Sequence, residues 1–324
     1  MSRARASIAL RTLTASVRFG FREWRTVAVL LGVNGIVALL IVAPLLPALI
    51  AAFGHAPRSA GRRLLSPELL LGLGPVLEHA RPSLLAPLLL LVLVQTLVAG
   101  GVVWRACDAG PFRLGAFLGQ SGRLVGRNAR LYLWLLPALI LALLLTGLLA
   151  ALMRALGLPT VFTVVGDAWL FGRPFTGWSV LHLALGALLL SCWRLALDSG
   201  RVLLFREDVR ATRRVAWRAM RLAVGSPGWL LLYAALGGLA TLAVLAAAWL
   251  RAMLPEGNTG LALLALLAAQ AVVWVRLSFQ VAGVRLSAAL VERRTAAPVP
   301  LAGPAEPGPG GEGGPRAALA QPPG

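Results

Sequence analysis

"RRVAWRAMRLAVGSPGWLLLYAALGGLATLAVLAAAWL", residues 213–250, joins a basic segment to an apolar run of membrane-spanning length. Its basic part carries the spacing R-x3-R-x2-R at Arg214, Arg218 and Arg221. The same spacing recurs at Arg18, Arg22 and Arg25, and at Arg123, Arg127 and Arg130, each time just ahead of an apolar run. A helix needs about 20 apolar residues to cross a hydrocarbon core about 30 Å thick. Six runs reach that length, near 26–53, 83–104, 131–153, 177–197, 228–250 and 260–282. They predict an all-α, polytopic membrane protein.

The composition points the same way. Of 324 residues, 58% are hydrophobic and 13% charged, where a soluble globular chain carries about 25% charged residues. The net charge is +19, and all 31 basic residues are arginine. Codon usage in a GC-rich bacterial genome produces that bias, so arginine in place of lysine is not read as functional. A basic chain can imply nucleic acid. Here the arginines are wedged between apolar runs, so the expected partners are membrane lipids through their anionic headgroups.

Arginine placement sets the orientation. Residues 1–25 hold six arginines, 105–130 hold five, the stretch from Arg194 to Arg221 holds eight, and the chain from Arg276 onward holds five, against seven in the remaining connections. Cytoplasmic connections carry the excess of positive residues, so both termini are expected in the cytoplasm, with the chain in a bacterial inner membrane. The first run is too long, and its basic lead too extended, for a cleaved signal peptide. Cys107 and Cys192 fall near the inner ends of runs, on the reducing side, and are expected to stay free. From Ala296 the sequence turns rich in Pro and Gly, which predicts a membrane domain over 1–295 and a disordered cytoplasmic tail over 296–324.

On a helical wheel, residues 206–223 put Arg206, Arg210, Arg213, Arg214, Arg218 and Arg221 within an arc of roughly 140°. Val209, Val215, Ala216, Ala219, Met220, Leu222 and Ala223 take the other side. This predicts an interfacial amphipathic helix, apolar face against lipid, with Trp217 at headgroup level. A second recurrence marks the ends of alternate runs: "VVWRACDAG" (102–110), "SCWRLALDSG" (191–200) and "VVWVRLSFQVAG" (272–283). Together the two patterns predict six spans arranged as three hairpins, each led by a cytoplasmic interfacial helix, as a threefold internal repeat. The competing explanation is that arginine-rich inner loops produce the spacing by chance.

Six spans, cytoplasmic termini and basic connectors such as "REDVRATRRVAWRAMRLAVGSPGW" (206–229) resemble uncharacterised bacterial membrane proteins of the domain-of-unknown-function kind. The layout is similar to the membrane domain fused to some glycerophosphodiester phosphodiesterases. No catalytic signature carries this resemblance, so it implies no activity.

The search for chemistry gives little. "GQSG" (119–122) matches the G-x-S-G of intramembrane serine proteases, but such a serine needs a histidine within hydrogen-bond reach. The nearest within a span, His182, is expected near the opposite face, so Ser121 is read as part of a Gly-Ser turn. His55, Glu68, Glu78 and His79 share one loop but match no metal-ligand spacing; "SPELLLGLGPVLEHA" (66–80) reads as a short lid helix. No Walker loop, cofactor motif or paired intramembrane carboxylate is present, and no catalytic residue or metal site is assigned. Arg105 with Asp108 and Arg194 with Asp198 have helical spacing and are expected to pair locally. A functional alternative is an anion or headgroup site lined by Arg105, Arg194 and Arg276, beside the stripe of Arg210, Arg214, Arg218 and Arg221. Asn34, Gln95 and Gln270 are expected to bond neighbouring helices.

The function expected is that of a non-enzymatic integral membrane protein engaging anionic headgroups on the cytoplasmic leaflet and organising membrane or partner proteins. The rival is a transporter or channel for an anionic or amphipathic substrate, which would line a route between the faces with polar groups.

Overall fold

The computed structural model describes residues 3–53, 89–90, 92–108, 110–158, 177–208, 211–253 and 259–295. The expected tail (296–324), the lid segment (66–80), His55 and Arg210 lie outside these residues. Among the described residues there are eight α-helices: α1 (Arg3–Arg22), α2 (Trp24–Phe53), α3 (Val92–Cys107), α4 (Leu114–Ala155), α5 (Gly177–Glu207), α6 (Thr212–Val224), α7 (Pro227–Met253) and α8 (Thr259–Thr295). Four helices are long and apolar enough to cross a membrane, within α4, α5, α7 and α8. A fifth span is made if α1 and α2, bent by 65° at Glu23, count as one. With α3 a shorter apolar helix, this is the make-up of a membrane protein.

The helix boundaries follow local chemistry. Between α6 and α7 the sequence reads Gly225, Ser226, Pro227. The Gly225 amide closes α6 on the Arg221 carbonyl at 2.8 Å, and the Ser226 carbonyl takes the amides of Trp229 and Leu230. Pro227 stands in the first turn of α7, where its missing N–H leaves nothing unsatisfied. Asp208 ends α5 with φ of 47°, a conformation that Asp tolerates better than most residues. The amphipathic segment 206–223 is therefore not one helix: Arg206 belongs to α5, which ends at Glu207, and α6 begins at Thr212. "GQSG" is corrected too, because residues 119–122 lie inside the unbroken α4 rather than in a turn.

Packing concentrates at the arginine-rich end. In α4 the buried positions Phe117, Ser121, Leu124, Asn128, Leu131 and Leu135 alternate by four and three, the period of a helix seam. α5 packs on α4, α6, α7 and α8, while α8 also meets α1, α2 and α7. Two close approaches need glycine. A Cβ on Gly20 would stand 2.3 Å from the Ser278 carbonyl oxygen, and one on Gly100 would stand 2.7 Å from the Gln120 carbonyl oxygen. They seat α1 on α8 and α3 on α4. The far halves of the long helices differ: Leu141, Leu144, Leu148, Leu181, Leu183 and Leu242 are exposed, as a lipid-facing surface requires.

Length explains the two zones. α4 has 42 residues, about 63 Å at the helical rise of 1.5 Å per residue. That exceeds the roughly 40–45 Å of a bilayer with its headgroup regions. The start of α4, together with α1, α6 and the end of α8, forms a packed helical base at one end of the spans.

Candidate functional site

The base is built from arginines on several helices and from few acids. Glu23 stands at the bend between α1 and α2, 8% exposed. Its carboxylate accepts from Nε and Nη2 of Arg105 on α3, at 2.7 and 2.6 Å, in the bidentate geometry that gives the strongest such pairs. Nη1 of the same guanidinium donates to the Asp108 carbonyl at 2.9 Å and to the Gly110 carbonyl. Arg285 of α8 donates to the Ala106 carbonyl at 2.6 Å. The end of α3 is thus tied to α1, α2 and α8.

A second buried group joins α5 to α7. Asp198, 3% exposed, accepts from Arg201 at 2.9 Å and from the Tyr233 hydroxyl. Arg201 also lies over the Tyr132 ring of α4, 5.1 Å from its centre. Nearer solvent, Asp208 takes Arg127 and, at 3.2 Å, Arg123. The hydrogen bond from Arg127 holds the Asp208 carboxyl below the usual carboxylate range, and the Arg127 and Arg123 charges add to it. Glu207 accepts from Arg218 at 2.7 Å, and Glu292 pairs with Arg206.

Several expected contacts change. The Arg105–Asp108 side-chain pair does not form. Arg105 reaches the Asp108 backbone, while the Asp108 carboxylate accepts the Gly110 amide at 3.0 Å. The Arg194–Asp198 pair gives way to Arg201, three residues on rather than four back; Arg194 remains near enough to feel the Asp198 charge. In the anion site expected from Arg105, Arg194 and Arg276, Arg105 has its donors directed into the protein, whereas Arg194 and Arg276 are exposed. Of the stripe, Arg214 and Arg221 are exposed and Arg218 is held by Glu207.

The apolar face of α6 also has a different partner from the one expected. Thr212, Val215, Ala216, Ala219 and Ala223 are buried against the protein, because α6 packs on α4, α5 and α7. Its outward face carries Arg213, Arg214, Trp217, Arg218 and Arg221. Arg221 stacks over Trp217 at 5.1 Å, and Arg213 over Trp134 of α4 at 5.7 Å. Asn34 and Gln95 behave as expected: Gln95 donates to Asn34 at 2.7 Å, joining α3 to α2. Gln270 is exposed.

The serine of "GQSG" has a structural use. Ser121 is 2% exposed, and its hydroxyl accepts the Gly101 amide at 3.0 Å. His182 instead meets the Thr146 carbonyl at 3.2 Å. Ser121 and Thr146 lie on one continuous helix, about 38 Å apart by helical rise, so Ser121 and His182 form no dyad. Among the described residues no cluster of His, Cys, Asp or Glu could hold a metal, and Cys107 and Cys192 are free.

No protein-family model, curated protein or solved structure matches the chain. The residues that organise the base were only partly visible in the sequence. Glu23 is the first acid of the chain and stands alone among the N-terminal arginines. Such a lone acid at the start of a span is a candidate buried partner. Arg201 follows Asp198 at the helical i,i+3 spacing, whereas Tyr233 carried no comparable signal, since its reach to Asp198 depends on how α5 and α7 pack.

Proposed function

We propose that the protein is a non-enzymatic, six-span inner-membrane protein whose helical base engages anionic lipid headgroups of the cytoplasmic leaflet. In this reading the apolar run 83–104 counts as a span, both termini are cytoplasmic, and the spans form three hairpins. The repeat is one of sequence pattern, because its three basic segments take different forms: a bend at Glu23, an uninterrupted α4, and a separate α6.

One observation carries the reading. Five of the six described acids, Glu23, Asp198, Glu207, Asp208 and Glu292, already hold arginines, and Asp108 holds a backbone amide. Arg11, Arg18, Arg22, Arg25, Arg214 and Arg221 remain exposed at the same end. A surplus of positive charge beside lipid-facing helices attracts acidic lipid at about 1 kcal/mol per residue near the surface.

The test uses full-length protein in vesicles of phosphatidylcholine and phosphatidylglycerol. Brominated forms of each lipid quench tryptophan and report which lipid lies against the protein. Phosphatidylglycerol should be preferred, less so as salt rises, and replacing Arg18, Arg22, Arg214 and Arg221 with Gln should reduce the preference. Equal quenching by both lipids at low salt would refute the reading. Anion flux from sealed vesicles with no lipid preference would support a transporter instead.

A further inference from the structure

We infer that the groove between α4 and α6 is a specific site for one anionic glycerophospholipid. This rests on the reading above and goes beyond it, since a diffuse field needs no site. The groove encloses a volume of about 690 Å³, within the range of sites for bound small molecules. Leu135 and Ala216, 2% and 5% exposed, belong to its floor. Trp134 and Trp217 stand on either side, Pro137, Ala138 and Met220 extend the apolar lining, and Arg213 and Arg214 stand at its polar edge.

Three features select the occupant. Arg213 and Arg214 are adjacent and have no carboxylate partner among the described residues, so two guanidinium forks are available to a phosphodiester. The tryptophans, 51% and 62% exposed, have the amphipathic character of residues at a membrane interface. Beyond Trp134 the exposed Leu136, Ile140, Leu141 and Leu144 continue along the same span. An acyl chain leaving the groove therefore has an apolar track to follow, which a water-soluble anion would not use. Phosphate binds at the arginines, glycerol lies between the tryptophans, and a chain runs along α4.

The test is photo-crosslinking in the same vesicles, with a phosphatidylglycerol carrying a diazirine in its acyl chain and adducts located by mass spectrometry. Adducts should concentrate on 134–144 and 217–220. Unlabelled phosphatidylglycerol should compete, while inorganic phosphate and phosphatidylcholine should not. Arg213→Gln with Arg214→Gln should lower groove labelling about tenfold or more, as expected for losing a charge-assisted hydrogen bond. Ala138→Phe fills the groove without changing charge and should lower it as well, which covers a double variant that fails to fold. Labelling spread evenly over all spans, or unaffected by Ala138→Phe, would overturn the site, as would competition by inorganic phosphate. The brominated-lipid preference, read on the same vesicles, separates the two outcomes. If it survives the loss of site labelling, only the groove is wrong; if it is absent in the unaltered protein, the broader reading has failed.

Discussion

The Glu23 carboxylate holds Arg105 through two hydrogen bonds across 82 residues, with both side chains only 9% exposed. The pair fixes the bend between α1 and α2 onto the end of α3. Burying two ions is costly, and an excellent geometry offsets that cost only while both partners are present.

Glu23→Gln should therefore lower stability by about 3–5 kcal/mol, because it leaves Arg105 buried without its counter-charge. Arg105→Met should do comparable damage. The double variant should lose less than the two single losses added together, as directly coupled residues do. Unfolding of the purified protein in detergent measures all three. Additive losses would mean that the contact contributes nothing specific.

Asp208 gives a pH dependence whose sign can be stated. Its carboxyl lies below the unfolded value in the folded protein, through Arg127 and Arg123. A depressed carboxylate contributes stability that is fully present above the unfolded pKa of about 3.9 and lost as pH falls through the lower folded value. The tie between α4 and α5 should hold at neutral pH and weaken only in acid. Asp208→Asn keeps a residue tolerant of the positive φ and should remove this part of the acid dependence, read as the difference between the two stability–pH curves. A difference confined to pH above 5 would contradict the assignment.

Glycines should divide by surroundings. Gly20→Ala places a methyl against the Ser278 backbone and should push α1 off α8, lowering the melting temperature. Gly122 has nothing within 4 Å of an added Cβ and lies inside α4. Gly122→Ala should thus stabilise by up to about 1 kcal/mol through helix propensity. A loss at Gly122 would point to a turn there after all.

Topology is open to a direct measurement. Reporters active only outside the cytoplasm should work when fused after residues 60, 165 and 255, and should be silent after 115, 215 and 300. Activity after residue 215 would reverse the orientation and place α6 on the opposite face.

Apolar run length and arginine spacing by themselves determined that the described residues are helical and that positive charge gathers beside apolar helices, of which four, or five with the bent pair, rather than six are long and apolar enough to span among the described residues. These are local properties: a run of leucines must avoid water wherever it sits, and a basic stripe appears on any helical wheel. Even the bonding of Asn34 to a neighbouring helix was legible, since an amide within an apolar run gains from a partner on a neighbouring helix. Which of several available partners a charge takes was decided by tertiary structure. Helical spacing offered Asp108 to Arg105 and Asp198 to Arg194, but Arg105 takes Glu23 from the bend between α1 and α2, and Asp198 takes Arg201 at the i,i+3 spacing within α5. The apolar face of α6 shows the same limit. Amphipathicity says that a helix has something to cover, and cannot distinguish lipid from protein as the cover. Only the arrangement of α4, α5 and α7 turned that face inward and left Arg213, Arg214 and Trp217 beside a groove, because a groove exists only where two elements distant in sequence come together.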